Sequence, residues 1–323
     1  MKRTVSIILA LSMAFGLLFS ASADQSTLTE SEMQEILQSL DDSSQDSSQE
    51  MSVAKEFRIK VDPGDLSIVH GLDKDWRNIL LLGTDTGSNL LNYGRTDTMI
   101  ILSVNTISGK MRLSSLVRDM YVNISLSNIS NRINAANAFG GPLLAVKTVN
   151  ETFSLNIKHY ISINFKGFTT VIDKLGGVEL LLSRSESQLT GANYSEEPQI
   201  LTGEQALAFV RIRELDNNFG RNERQRKLLS SMFNKILSGS NLQRTMSALT
   251  EALKYMDTNL SVNDLLTLIV PVFTGMENMD ACGFPAQGDW HFQTSEQAQS
   301  VIVFDREATT TKLHDYIFKG IMP

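Results

Sequence analysis

Cysteine is almost absent. Cys282 is the single thiol among 323 residues, so no intramolecular disulfide can form, and a lone cysteine reads as a small buried hydrophobe rather than a nucleophile. The four histidines, His70, His159, His291 and His314, show no metal-ligand spacing, which sets zinc chemistry aside. Positive charge is also in short supply. The chain carries 29 Lys and Arg against 36 Asp and Glu, a formal charge of −7, with an isoelectric point near 5.2. A balance of that sign excludes reliance on diffuse attraction to nucleic acid phosphates, so any anion site must be local. Long apolar runs are scarce as well, and the one that stands out lies at the N-terminus.

That run, residues 5–19, follows Lys2 and Arg3 and precedes Ala21-Ser22-Ala23, the order of a charged region, an apolar region and a small-residue cleavage site. It falls short of the ~20 residues of a spanning helix. Residues 1–23 are therefore expected to be a secretory signal cut before Asp24, with a retained anchor as the alternative. Residues 24–55, including "DDSSQDSSQE", are rich in Ser, Gln, Asp and Glu and read as a disordered linker that buries too little apolar surface to order. Residues 56–323 are then one exported domain, secreted or associated with the cell wall.

Strands and helices alternate through that domain. "NILLLG" (78–83), "TMIILSVN" (98–105) and "KMRLSSL" (110–116) read as strands, the last two joined by a Ser108-Gly109 turn. A helix is expected after Gly141-Pro142, a strand over "HYISINF" (159–165), a helix over 166–175 and a strand over "VELLLS" (178–183). Thr202 and Gln205 have capping-box spacing for a helix over 204–210. Further helices are expected over 222–237, 242–256, 262–276 and 309–318, with strands at "ACGFP" and "SVIVFD". The class is α/β: a single domain with a central mixed sheet flanked by helices on both faces.

Charges gather at the predicted strand ends. "GTD" closes the first strand at Asp85, "RTD" opens the second at Arg95 and Asp97, and "SLVRD" closes the third at Arg118 and Asp119. Antiparallel pairing of these three strands places all five residues on one rim. In "FVRIRE" an extended chain sends Arg211 and Arg213 to one side. In "FGRNERQRK" the residues Arg221, Arg224 and Gln225 share a face in the first helical turn, where cations oppose the macrodipole and an anion relieves the conflict. Arginines meet phosphate oxygens bidentately, and carboxylates without a histidine suit Mg²⁺ shared with a substrate phosphate. The residues thus describe a pyrophosphate-and-magnesium site. A surface ion-pair network is the plainer reading of any single pair.

The segments "LLLGTD", "GRTDTMIILSVN", "SSLVRDMYV", "RINAANAFGG", "LTGEQALAFVRIRE" and "NFGRNERQ", in this order over 75–237, resemble the LytR-CpsA-Psr family of cell-envelope glycopolymer transferases. The resemblance implies transfer of a teichoic acid or capsular polysaccharide from an undecaprenyl pyrophosphate-type carrier to peptidoglycan, at the outer face of the cytoplasmic membrane and without nucleic acid. It also implies that Asp85 and Asp97 bind magnesium, or manganese in its place. Arg95 and Arg118, with Asp97, are the implied catalytic residues. Arg95, Arg118, Arg211, Arg213, Arg221, Arg224 and Gln225 are the implied pyrophosphate ligands. Asp119 and Asp216 are both candidates for a general base. Leu116-Val117 stands where the family usually has Ile-Pro, Arg132 where it has lysine, and Asn218 where it has an acid. A non-catalytic binder of polyprenyl-linked glycans is the alternative from another class. Cleavage has a direct check: mass spectrometry of the exported protein should give an N-terminus at Asp24, whereas full-length chain confined to the membrane fraction identifies an anchor.

Overall fold

The computed structural model describes residues 59–84, 93–127, 129–215, 218–237, 254–261, 264, 267–268, 279–295 and 300–323. The signal segment, the linker, Asp85, Asp216 and most of the helices expected over 242–256 and 262–276 lie outside the described residues. Among the described residues no helix is long and apolar enough to cross a membrane.

Six strands form the central sheet. β1 (Trp76–Thr84), β2 (Thr96–Asn105) and β3 (Met111–Leu116) pair antiparallel in sequence order. β6 (His159–Asn164) lies parallel to β1 on its other side, and β9 (Met256–Thr258) and β10 (Asp280–Phe284) close the two edges. Between β2 and β3, Asn105 Oδ1 accepts from the backbone N–H of Ile107 (3.1 Å) and Ser108 (2.8 Å). Gly109 then turns the chain at φ +76°, a conformation that favours glycine.

Both faces of the sheet are covered, and so its inner strands are apolar almost throughout. Leu80, Leu82, Met99, Ile101 and Leu116 face α1 (Ala135–Phe153) and α6 (Arg306–His314), which runs into a short π-helix (Asp315–Lys319). Ile79, Ile100, Leu102, Val104 and Leu113 face the other way, toward Leu229 and Phe233 of α5 (Asn218–Leu237). A smaller apolar cluster joins α2 (Phe165–Lys174), β7 (Val178–Leu180), β8 (Gln199–Leu201) and α4 (Gly203–Arg211) to α5 through Ile172, Val178, Leu201, Phe209 and Leu228. The layered α/β architecture is the one expected from the sequence.

Several elements differ from expectation for local reasons. β7 stops at Leu180 because Ser183 caps α3 (Arg184–Thr190): its hydroxyl accepts from Glu186 N–H, and Glu186 accepts from Ser183 N–H. The turn of helix at Ala135–Phe139 precedes the expected start, and the helix kinks at Gly140 and Gly141. A side chain at Gly141 would meet the Tyr93 ring at 2.3 Å. Met256 begins a strand rather than ending a helix, pairing with Ile163. The hairpin of β4 (Tyr121–Ile124) and β5 (Ile129–Arg132), strand β8, and the pairing of β11 (Trp290–Thr294) with β12 (Ser300–Phe304) were not anticipated. Their short polar alternation is a weak signal.

At the β9 edge Tyr160 donates its phenol to Asp257 Oδ1 at 3.3 Å. Burial raises the Asp257 carboxyl above its ordinary value, opposed by the Tyr160 hydrogen bond. A carboxyl raised in the folded state favours folding while protonated, an advantage present below ~4 and lost as pH rises through the shifted value. Asp257→Asn keeps an acceptor for Tyr160. It should therefore melt above the parent at pH 7, with the gap closing as melts are repeated toward pH 4.

Candidate active site

The C-terminal ends of the parallel strands β1, β3, β6 and β10 and the start of β2 share one edge of the sheet, the edge where open α/β sheets bind ligands. Thr84 pairs with Thr96 there. Asp97 follows in β2 and Arg118 two residues past β3, so the hairpin register brings the two together.

Asp97 Oδ1 accepts from Arg118 Nη1, and its Oδ2 lies 4.0 Å from Arg213 Nη2. Arg118 Nε is 3.7 Å from Asp119 Oδ1, which also faces Arg132 Nε at 3.4 Å. Arg132 is anchored in turn on the Ser300 carbonyl at 3.1 and 2.6 Å. Arg221 is 3% exposed, and its Nε and Nη2 have no hydrogen-bond partner among the described residues. Burial first, then neighbouring Arg118, lowers its guanidinium to about 10, with Asp97 and Asp119 opposing. It remains a cation at neutral pH. Among the described residues, four guanidinium groups, those of Arg118, Arg132, Arg213 and Arg221, thus converge on two carboxylates, Asp97 and Asp119. The imbalance among the described residues, with a buried cation at its centre that has two nitrogens without hydrogen-bond partners there, is the electrostatic signature of an anion site.

The other expected site residues are distributed around this centre. Gln225 Nε2 donates to the Asp97 carbonyl at 3.5 Å. Arg224 is buried but turned toward the Ile212 carbonyl (2.9 Å) and Glu186 (4.0 Å), where it holds the α4–α5 loop. Arg211 ends α4 rather than standing in an extended segment, and stacks over Phe165 at 4.7 Å. It nonetheless lines one shallow cleft of about 370 Å³ with Arg213. Arg95 is exposed immediately before Thr96. Helix α5 begins at Asn218, so Arg221, Arg224 and Gln225 lie deeper in it than expected. Phe219 stacks on Trp290 at 4.4 Å in that early turn, giving Trp290 the role that its sequence context does not show. Trp76, likewise unassigned, packs under Arg112 at 4.5 Å.

A metal would find Asp97 at hand, but no group of three or more His, Cys, Asp or Glu side chains among the described residues. That donor set fits Mg²⁺ shared with phosphate oxygens, which uses one or two carboxylates, and does not fit an all-protein cage.

The model of the LytR_cpsA_psr family matches residues 30–312. The chain belongs to the LytR-CpsA-Psr family. Among its relatives, a polyisoprenyl-teichoic acid–peptidoglycan teichoic acid transferase TagU from Oceanobacillus iheyensis is 37% identical over 240 residues, covering 70% of this chain and 73% of that protein. The TagU of Enterococcus faecalis is 34% identical over 233 residues, 70% and 77% of the two chains. Two solved structures share the fold. TagT bound to LIIa-WTA superposes with a TM-score of 0.65 at 24% identity, covering 82% of this chain and 100% of that one. The Streptococcus agalactiae protein gbs0355 gives 0.64 at 23%, covering 76% and 87%.

In this LytR-CpsA-Psr chain two asparagines complete the rim. Asn134 Nδ2 donates to the Thr96 carbonyl (3.1 Å), its backbone N–H to the Arg118 carbonyl (3.3 Å), and Asn137 Nδ2 to the Gly94 carbonyl (2.8 Å). From the sequence they read equally as helix caps. The structure makes them the clamps that fix the backbone on both sides of Arg95 and behind Arg118. Asn134→Ala strands the buried Thr96 carbonyl, at a cost of ~1–3 kcal/mol. Thermal melts should show that loss, and calorimetry with a short-chain polyprenyl pyrophosphate should show weakened binding although no ligand-facing group has been removed.

Proposed function

We propose that this chain is an extracytoplasmic phosphotransferase that moves a glycopolymer of teichoic acid or capsular type from an undecaprenyl pyrophosphate-type carrier to peptidoglycan. The observation that carries the reading is the buried guanidinium beside the Asp97–Arg118 pair, that of Arg221, whose Nε and Nη2 have no hydrogen-bond partner among the described residues. A pyrophosphate supplies the acceptors that this guanidinium lacks. The relatives named as teichoic acid transferases support the same substrate class.

In the proposed reaction an acceptor hydroxyl oxygen on peptidoglycan attacks the phosphorus that bears the glycopolymer. The anhydride P–O bond breaks, polyprenyl monophosphate leaves, and the hydroxyl proton passes to a basic oxygen nearby. Arg118, Arg213 and Arg221 hold the phosphoryl oxygens and stabilise the charge that accumulates as the bond breaks, where preorganised cations act most strongly. Asp97, with Asp85 as the expected second ligand, would hold Mg²⁺ against the pyrophosphate. That ion would supply charge neutralisation on the leaving phosphate. Arg95 stands at the mouth, and Gln225 steadies the Asp97 backbone. Asp119 is engaged by Arg118 and Arg132, an arrangement suited to orienting Arg118 more than to taking a proton. A binder without turnover needs guanidinium groups but no carboxylate in their midst, and Asp97 supports turnover.

Arg221→Met removes a buried charge with two nitrogens that have no hydrogen-bond partner among the described residues. It should leave thermal stability unchanged or raised while weakening pyrophosphate binding by ~1.5–3 kcal/mol, the range for a hydrogen bond to a charged group. Asp97→Ala should retain the fold and lose magnesium-dependent transfer. Melts, calorimetry and a release assay for polyprenyl phosphate read these separately. Undiminished turnover in Asp97→Ala would falsify the metal role.

A further inference from the structure

At the opposite end of the sheet from the rim, a cleft of about 450 Å³ opens beside the first residues of β1 and β6. Lys74, Arg77 and Lys158 are exposed around it, and His159 and Asn156 are half-buried in its wall. Asp264 is the one carboxylate in the lining among the described residues. Asp73 and Asp75 flank Lys74 in sequence, but neither lines the cleft. Three cations against one anion is a local reversal of charge on a chain of net −7.

The positive charges around the cleft repel one another and act on the embedded imidazole. His159 Nε2 lies 3.8 Å from Asp264 Oδ1. Its imidazole is nevertheless held below the ordinary histidine value, by burial first and by the positive charges of Lys158 and Arg77, against the pull of Asp264. On the floor, Asn78 donates to Asn156 Oδ1 at 2.9 Å and accepts from Ser103 at 2.6 Å. That chain fixes Asn156 with its oxygen committed, so the amide nitrogen is left to serve as a donor. Three exposed cations, a fixed amide and an imidazole held below its ordinary value form a concave site for phosphate oxygens.

The cleft is far from the chemistry. β1 runs from Trp76 to Thr84, and at ~3.3 Å per residue its two ends are ~26 Å apart. A pyrophosphate gripped at the rim therefore cannot also fill the cleft, whereas a polymer that carries phosphates along its length reaches both.

We propose that this cleft is a second anion site that takes phosphodiester units of the glycopolymer, remote from the unit being transferred. The inference rests on the transferase reading above. Holding a distal segment makes binding of a long chain partly intramolecular, which strengthens it without new contacts at the reacting phosphate. Long phosphate-rich polymers are thereby favoured over short or uncharged ones.

The test uses the full chain carrying Arg118→Ala and Arg221→Met, so that the rim no longer competes for phosphate. It is titrated with a glycerol phosphate oligomer and, separately, with inorganic phosphate, followed by calorimetry and by the NMR signals of the His159 imidazole. Saturable one-to-one binding of the oligomer with a shift at His159 is expected, roughly tenfold tighter than inorganic phosphate as multivalent contact requires. Adding Arg77→Gln and Lys158→Gln, both at exposed positions, should weaken the oligomer by at least about tenfold, the equivalent of ~1.4 kcal/mol. A silent His159, an affinity indifferent to those two charges, or inorganic phosphate binding as tightly as the oligomer would overturn the proposal. Transfer that persists in the rim variant overturns the transferase reading instead, and leaves the cleft result standing on its own.

Discussion

The antiparallel pairing of β2 between β1 and β3 is the constraint on which the site depends. Its register is fixed by burial on both faces: a slip of one residue would exchange the set Met99 and Ile101 for the set Ile100 and Leu102, each already matched to a different layer. Once that register is set, Asp97 and Arg118 have to meet at the same edge, whatever the loops beyond them do. The apolar core thus determines the geometry of a polar site in which none of its side chains takes part.

That polar site is built against its own stability. Among the described residues Arg221 is buried with two nitrogens that have no hydrogen-bond partner, Arg118 is the neighbouring charge that disfavours it most, and two carboxylates stand against four guanidinium groups. An uncompensated buried cation destabilises a fold. The surrounding layers, with α1 and α5 packed on opposite faces of the sheet, hold the arginines in place in spite of that repulsion. The site is consequently preorganised for an anion, because the repulsion has been met in folding rather than at the moment of binding.

Much of this was legible in the sequence, and for definable reasons. The strands 78–83, 98–105 and 110–116 are apolar runs bounded by turn residues, and the rim charges sit at fixed offsets from their ends, so pairing alone predicted that Asp97 and Arg118 converge. Thr202 and Gln205 announced α4 because a capping box is a local interaction. What escaped depends on contacts between distant segments. Arg132 reaches Asp119 only through the β4–β5 hairpin, and Trp290 finds Phe219 across some seventy residues of chain. Arg211 and Arg213 alternate in sequence, yet a helix end falls between them, and one stacks on Phe165 while the other turns to Asp97. The choice between capping and clamping for Asn134 rested on where the Thr96 carbonyl would lie, which no local pattern records.

The anchoring of Arg132 has a consequence for the timing of assembly. Its guanidinium is held by the Ser300 carbonyl, Met120 bridges to Ile302, and Trp290 packs on the first turn of α5. The rim therefore borrows its supports from the last tenth of the sequence, although every charge in it lies before residue 226. A chain emerging N-terminus first can form the sheet of β1, β2 and β3 and present all of the arginines while the scaffold that aims them is still unmade. The supports of Arg132 and of the first turn of α5 are thus in place only once β11 and β12 have packed.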